Sequence, residues 1–399
     1  MRLLRPAAVL LTAQDLRTDI TLLVPAAGDS ETARWLDQGE LKQWRDQNPA
    51  APQVEHFEGE LWTSPLFMLH AHLESWDAPS AGWQRSTFSA WVKDLLQWRQ
   101  FTKRMDFAAS AKASWSELQQ GGCAAVLASV GEAVDLANLP ADASRVLCRE
   151  WFAPSSDDAE QWQDPQRNCV ALHSPFGVSE DLASRAFRWQ SQQSGRCLSL
   201  HLGEHADERR YLAANEGPLA DLMMSRGRPL KTKQWSSPLD WLEEVAPGAR
   251  PGVLAVHCGD LQVEELVALQ QKEVSVVWCP GTHLYFDRPK PAFAAAGDEP
   301  PLLGCDSRAS NAELNPMREL RLARQILPQF SAAAWWNAAT DGGRRFWQQF
   351  IQPDSPAPSV ATSPLRFTNP GLSSAAEVCD YLTCEPELTP VAAPGIPSP

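Results

Sequence analysis

From residue 66 onward, short apolar runs recur along the chain, separated by longer stretches with helical spacing. The runs are PLFMLHAH (65–72), CAAVLAS (123–129), SRVLCRE (144–150), NCVALHS (168–174), CLSLHLGE (197–204), GVLAVHCG (252–259), VSVVWCP (274–280) and PLLGCDS (301–307). Each has the length of a strand buried on both faces, as in a parallel sheet covered by helices. Between them, Ser89–Lys103, Ser179–Gln193, Asp207–Met224, Leu239–Val245, Val263–Gln271 and Met317–Leu327 carry the pattern of helices. Eight strands alternating with helices over about 280 residues have the size and rhythm of an α/β protein of the (β/α)8 TIM-barrel type. A doubly wound open sheet is the competing topology, but no glycine-rich dinucleotide turn follows the first strand.

The flanks read differently. Residues 1–65 combine strand-like stretches (Ala7–Leu11, Ile20–Val24) with a polar helical stretch over Glu31–Gln47. They are expected to form the N-terminal part of a small companion domain, with 346–384 packing on it and 66–345 as the barrel. The last stretch, 385–399 (EPELTPVAAPGIPSP), has the proline-rich composition of a disordered tail.

Composition narrows the class. The 399 residues are 44% hydrophobic and 21% charged, enough for a large core. The net charge is −14 and no basic block is present, which argues against nucleic acid as a partner. No apolar run approaches the roughly 18–20 residues that span a bilayer, so no membrane helix is expected. Two arginines precede an apolar run in MRLLRPAAVLLTA, but Gln14, Asp15 and Arg17 follow without a small-residue cleavage site, so this stretch reads as mature sequence. Nine cysteines without a CxxC pair, seven of them in or beside apolar runs, suit reduced buried thiols and a cytoplasmic location. The expected partner is a small-molecule substrate, with a homodimer left open.

Chemistry gathers where the runs end. His70 and His72 close the first, His201 the fifth, His257 the sixth and Asp306 the eighth, the end of a parallel barrel where active sites are assembled. Strand residues i and i+2 share a face, so His-x-His aims two imidazoles into one space. A third histidine and a carboxylate from across the barrel can meet them around a divalent cation, with zinc, iron(II) or manganese suited to such ligands. The plain alternative is histidines that only hydrogen-bond within a core. Glu204, three residues beyond His201, can bend over the site and carry a proton from water to a leaving nitrogen, or can simply serve a helix N-terminus.

The segments FMLHAHLE, LHLGEHADERR, VHCGDL, VVWCPGTHLYF and LGCDSRASN resemble, in order and spacing, the metal-dependent amidohydrolase superfamily over 65 to about 345. The resemblance is to the cytosine-deaminase-like branch that includes S-adenosylhomocysteine, methylthioadenosine and aminofutalosine deaminases and the triazine chlorohydrolases. It implies a barrel flanked by a small β-sandwich and one metal ion, zinc foremost, held by His70, His72, His201 and Asp306. It implies Glu204 as proton shuttle, His257 against the attacking water or the polarised group, and His173 facing the substrate. The fourth run carries no lysine for a second metal. Ala71 stands where threonine is usual, and Cys305 where threonine or serine is common. Trp76 is a candidate to stack on an aromatic substrate, and Arg308 a candidate for an anionic group or for pairing with an acid such as Glu313. His283 can line the pocket mouth or stabilise a loop. The reaction implied is hydrolytic deamination of an aminated nitrogen heterocycle or nucleoside. Hydrolysis of a cyclic amide, a carbamoyl compound or a halogenated heterocycle, or a retired metal-binding barrel, are the alternatives.

Overall fold

The computed structural model describes residues 1–26, 32–85, 87–101, 107–131, 144–155, 162, 168–248, 250–385, 388 and 390. The N-terminal strands are β1 (Arg2–Thr12), β2 (Asp15–Arg17), β3 (Thr21–Val24), β4 (Arg34–Leu36) and β5 (Val54–Thr63). The apolar runs become β6 (Leu66–His72), β7 (Cys123–Val130), β8 (Arg145–Trp151), β9 (Cys169–Leu172), β10 (Cys197–Leu202), β11 (Val253–His257) and β12 (Ser275–Trp278). The eighth run is split into β13 (Leu302–Leu303) and β14 (Asp306–Ser307). A last strand, β15 (Leu365–Thr368), lies near the C-terminus.

Strands β6 to β14 form one parallel sheet in the order β13-β12-β11-β10-β9-β8-β7-β6-β14. The split strand closes it. Leu302 and Leu303 pair with Val277 and Trp278, while Asp306 and Ser307 pair with Ala71 and His72. Across the break, the Gly304 N–H donates to the Trp278 carbonyl and the Cys305 N–H to the His70 carbonyl, both at 2.9 Å. The expected TIM barrel is therefore present, with its eighth strand bent rather than continuous.

Alternate residues of the strands, among them Phe67, Leu69, Ala125, Leu127, Val146, Cys148, Cys169, Ala171, Cys197, Leu254 and Val256, form one buried cluster with Phe346, Trp347 and Ile351. A cluster drawn from opposite strands fills the ring's interior, and the three late residues plug it. The other faces of the strands pack outward against the helices in a second, larger cluster.

Helices occupy Phe88–Phe101, Glu180–Ser191, Pro238–Val245, Val263–Gln271 and Pro316–Ile326, close to the expected spans. Two expectations are corrected. The stretch Asp207–Met224 forms two helices, Ala206–Ala214 and Pro218–Ser225, because Asn215 turns left-handed (φ 54°) and Gly217 (φ 89°) sets Pro218 as a new first residue. Of the helix expected over Glu31–Gln47, Glu31 lies outside the described residues, Arg34–Leu36 is strand β4, and the helix is Gln38–Gln47, started by a capping box between Asp37 and Glu40.

The flanking sheet runs β15-β5-β1-β3-β4, with β2 on β1. Its strands come from both ends of the chain, and among the described residues it is one sheet rather than the two layers of a sandwich. Among the described residues none of the nine cysteines forms a disulfide, and eight are buried. No helix among the described residues is long and apolar enough to cross a membrane. Most of the proline-rich end, 385–399, lies outside the described residues.

Candidate functional site

Strand parity brings several polar groups to the carboxyl end of the ring. Interior positions Val146 and Cys148 of β8 lead to Glu150, Cys169 and Ala171 of β9 to His173, and Cys197 and Ser199 of β10 to His201. His70 and His72 follow a register irregularity between Met68 and Ala71. His257 (φ 71°), Cys258 (φ 54°) and Asp306 (φ 56°) adopt left-handed backbone, which for such residues costs on the order of 1–3 kcal/mol each. Such turns re-aim side chains that regular strands would direct elsewhere.

The imidazoles meet closely. His70 Nε2 lies 3.3 Å from His201 Nε2, and Asp306 Oδ1 lies 3.8 Å from Nε2 of both His70 and His72. His201 Nδ1 donates to the His173 carbonyl at 2.7 Å, which leaves its Nε2 lone pair facing His70. Asp306 Oδ2 accepts from Thr282 Oγ1 at 2.8 Å and Ser310 Oγ at 2.9 Å, so Oδ1 is the oxygen turned to the imidazoles. His257 Nε2 stands 3.9 Å from both Asp306 Oδ2 and Glu204 Oε1.

A tetrahedral cation with ligands at about 2.0–2.2 Å holds them roughly 3.3–3.6 Å apart. His70, His72 and Asp306 form one group whose potential ligand atoms all lie within 4.8 Å of one another, and His201 Nε2 adjoins it through His70 Nε2 at 3.3 Å. Two further sets of potential ligands overlap this one, His70, His201 and His257 in one and His72, Glu150 and His201 in the other.

Burial governs the protonation of the cluster. It pushes His70 and His173 down to about 4 and His257 to about 3. Burial alone would raise Asp306, but His70, His257 and His72 hold it well below the usual carboxylate range. Glu204 is likewise raised by burial and more than offset by His257, Arg288 and His201, ending at about 2. His72 moves the other way, its burial outweighed by Glu150, Glu74 and Asp306, which raise it; neutral imidazoles beside ionised carboxylates, as at His70 and His257, are the states in which such groups bind cations.

The remaining sequence candidates fall nearby or outside. His173 packs edge-on to Phe152 and Phe176 at 5.0 and 5.3 Å, and its Nδ1 lies 2.7 Å from Ser174 Oγ. Trp76 is 40% exposed and donates through Nε1 to Glu117 Oε2 at 3.1 Å. Arg308 pairs with Glu117 Oε1 at 3.2 Å and also with the Ala312 carbonyl, whereas Glu313 pairs with Arg318. The Trp76 and Arg308 side chains are thus joined through one carboxylate. His283 is buried against Trp278, and neither ring nitrogen makes a hydrogen bond among the described residues.

Sequence reasoning missed four groups. Glu150 lies 3.4 Å from His201 Nδ1, and its parity with Val146 and Cys148 was the available signal. Thr282 and Ser310 hold Asp306. Arg288 Nη2 donates to Glu204 Oε1 at 3.0 Å from a loop without a periodic signature.

No protein-family model and no curated protein matches the chain. Solved structures do. The chain is similar to Helicobacter pylori aminofutalosine deaminase in complex with methylthio-coformycin, with a TM-score of 0.72 at 14% identity over 98% of this chain and 97% of that one. It is similar to an adenosine deaminase from Xanthomonas campestris with bound zinc (TM-score 0.66, 17% identity, 96% and 88% covered). It is also similar to atrazine chlorohydrolase from Arthrobacter aurescens complexed with zinc (TM-score 0.63, 14% identity, 95% and 91% covered). At these identities the likeness is one of fold. Two of the enzyme groups that the sequence motifs resemble, aminofutalosine deaminases and triazine chlorohydrolases, recur among the structures sharing it. The chain has the fold of the amidohydrolases that its motifs resemble.

Proposed function

We propose that this chain is a metal-dependent amidohydrolase that hydrolyses a C–N bond, most specifically by deaminating an aminated nitrogen heterocycle or nucleoside. The observation that carries the reading is the overlap of two potential ligand groups, His70, His72 and Asp306 with His70, His201 and His257, at the carboxyl end of the barrel, with Glu204 beside His257. A single divalent cation, zinc foremost, is the group those four would hold. When bound, it supplies Lewis acidity and makes a water acidic enough to ionise near neutrality.

The chain's own residues then divide the work. Asp306, kept ionised and fixed through Oδ2 by Thr282 and Ser310, takes the proton as water attacks the amino-bearing sp2 carbon. His257, with both carboxylates 3.9 Å away, orients the attack and stabilises the charge that develops on the ring. Glu204, ionised at rest, collects the water's other proton and delivers it to the departing nitrogen as the C–N bond breaks and ammonia leaves, while the proton on Asp306 passes to the ring, so that both carboxylates end ionised. His173, among aromatic rings, is read as a substrate contact, with Trp76 and Arg308 further out and tied to Glu117. The barrel over 66–345 would hold the site, the terminal segments would form the companion unit, and the cytoplasm is the proposed location.

The test is ammonia release by purified, metal-analysed protein against aminated purines, pterins, pyrimidines and their nucleosides. The same incubations are followed for chloride release from chlorinated triazines and for ring opening of cyclic amides. Ammonia release dependent on bound metal supports deamination. Chloride release or ring opening without ammonia replaces it with the alternative chemistry, and metal-loaded protein inert to the whole panel counts against a hydrolase.

A further inference from the structure

We propose that Arg288 is a positioning residue for Glu204: it clamps one carboxylate oxygen so that the other is presented to the reacting atoms. The inference rests on reading Glu204 as the proton carrier and adds a residue to that machinery. Arg288 Nη2 donates to Glu204 Oε1 at 3.0 Å, and the two side chains are only 7% and 11% exposed. This is a partly dry ion pair rather than a solvent-screened surface contact. The bonded oxygen, Oε1, is also the one 3.9 Å from His257 Nε2. One oxygen is thus engaged on both sides, and Oε2 is the one left for substrate.

Arg288 is itself held in place. Its guanidinium lies over the Phe286 ring, with Cζ 4.6 Å from the centroid, and its backbone N–H donates to the His283 carbonyl at 3.2 Å. Phe286 packs edge-on to Trp91 at 5.2 Å and against Phe88 at 6.0 Å, linking the loop after β12 to the helix after β6. A flat guanidinium suits both the ring and the carboxylate, and a lysine ammonium cannot reproduce that pairing. Glu204 sits on the turn after β10, just past Gly203 (φ 57°), where its own backbone gives little lateral support. A free glutamate side chain samples several rotamers, and fixing the productive one in advance is what a neighbouring charge can contribute to rate. The charged and titratable neighbours of this carboxylate include His257, Arg288, His201, Asp306, His173, His205 and Glu208, and Arg288 is the one permanent cation among these.

Three variants test the clamp. A crystal structure of Arg288→Met, solved without substrate, should show the Glu204 carboxylate displaced from its place against His257; a carboxylate that stays there overturns the proposal. With a substrate from the panel, Arg288→Met should lose at least about a hundredfold in kcat with KM nearly unchanged and metal content intact. Arg288→Lys should recover only part of the loss, and guanidinium ion should restore Arg288→Ala saturably. Unchanged kcat, full recovery by lysine or no response to guanidinium contradicts positioning. Wild-type protein inert to the whole panel would overturn the hydrolase reading instead, and the crystallographic position of Glu204 would still decide the clamp.

Discussion

Glu204, on the turn after β10, and Glu208, in the helix that follows, are buried carboxyls with opposite fates. Glu204 is kept ionised by His257, Arg288 and His201, whereas Glu208, 2% exposed, is pushed up to about 8 by burial. Its Oε1 accepts the Gly203 N–H at 3.0 Å, which favours the charged form, but Glu204 and Asp260 work against it. A folded pKa above the unfolded value means that the folded state retains a proton the unfolded chain releases. The group's stability contribution is therefore fully present below about pH 4.5 and is lost as pH rises toward 8. Glu208→Gln keeps an acceptor for Gly203 and removes the titration. Thermal unfolding should show the variant more stable than wild type at pH 8, by on the order of a few kcal/mol, with the difference vanishing near pH 5. For Glu204→Gln, metal analysis should find content unchanged while turnover falls about 10²–10⁴-fold; undiminished turnover would remove Glu204 from the chemistry.

At this scale much was legible. His70, His72, His201, Glu204, His257 and Asp306 stand at the ends of apolar runs, where chain order alone marks them. Glu150 needed strand parity carried one step further, in a run where the neighbouring Arg149 also reads as surface. Arg288 had no such route, since a loop residue's partner depends on how Asp287–Pro291 folds, and no period in the pattern describes that.

Among the elements, the eighth strand carries the tightest constraint. The apolar run predicted one strand over 301–307, yet the chain breaks at Gly304 to pair β13 with β12 and β14 with β6. A Cβ at Gly304 would lie 2.9 Å from the His70 carbonyl oxygen and 2.9 Å from Cys279 Sγ. Backbone cannot yield there without moving the strand that bears two candidate ligands. Gly304→Ala should therefore lower stability by about 1–3 kcal/mol and weaken metal retention together, read by thermal unfolding and by titration against a chelator. Loss of stability with metal affinity intact would show that this closure does not set the ligands. The pattern could not reveal the break, because Leu302, Leu303 and Cys305 are as apolar as a continuous strand requires. The split of Asp207–Met224 was more accessible, since Glu216-Gly217-Pro218 already carries a stop and a start.

Across the whole molecule, two sheets meet in one chain. The barrel's rhythm was visible because each strand and its helix are near neighbours in sequence. The flanking sheet was less so: Phe367 of β15 pairs with Leu61 of β5, and local hydrophobic pattern says nothing about partners so far apart. Arg366 on β15, 4% exposed, pairs with Glu60 on β5, Nε donating to Oε2 at 2.8 Å. This part-buried pair gives the two strands a polar contact beside their apolar one.

What the whole architecture is held to do is place three imidazoles and one carboxylate on a single cation. Anomalous diffraction at the zinc edge from crystals of the zinc-loaded protein reads this directly. One peak should appear within about 2.0–2.2 Å of His70 Nε2, His72 Nε2, His201 Nε2 and an Asp306 oxygen. Absence of a peak there, or a peak held by other residues, would contradict the account.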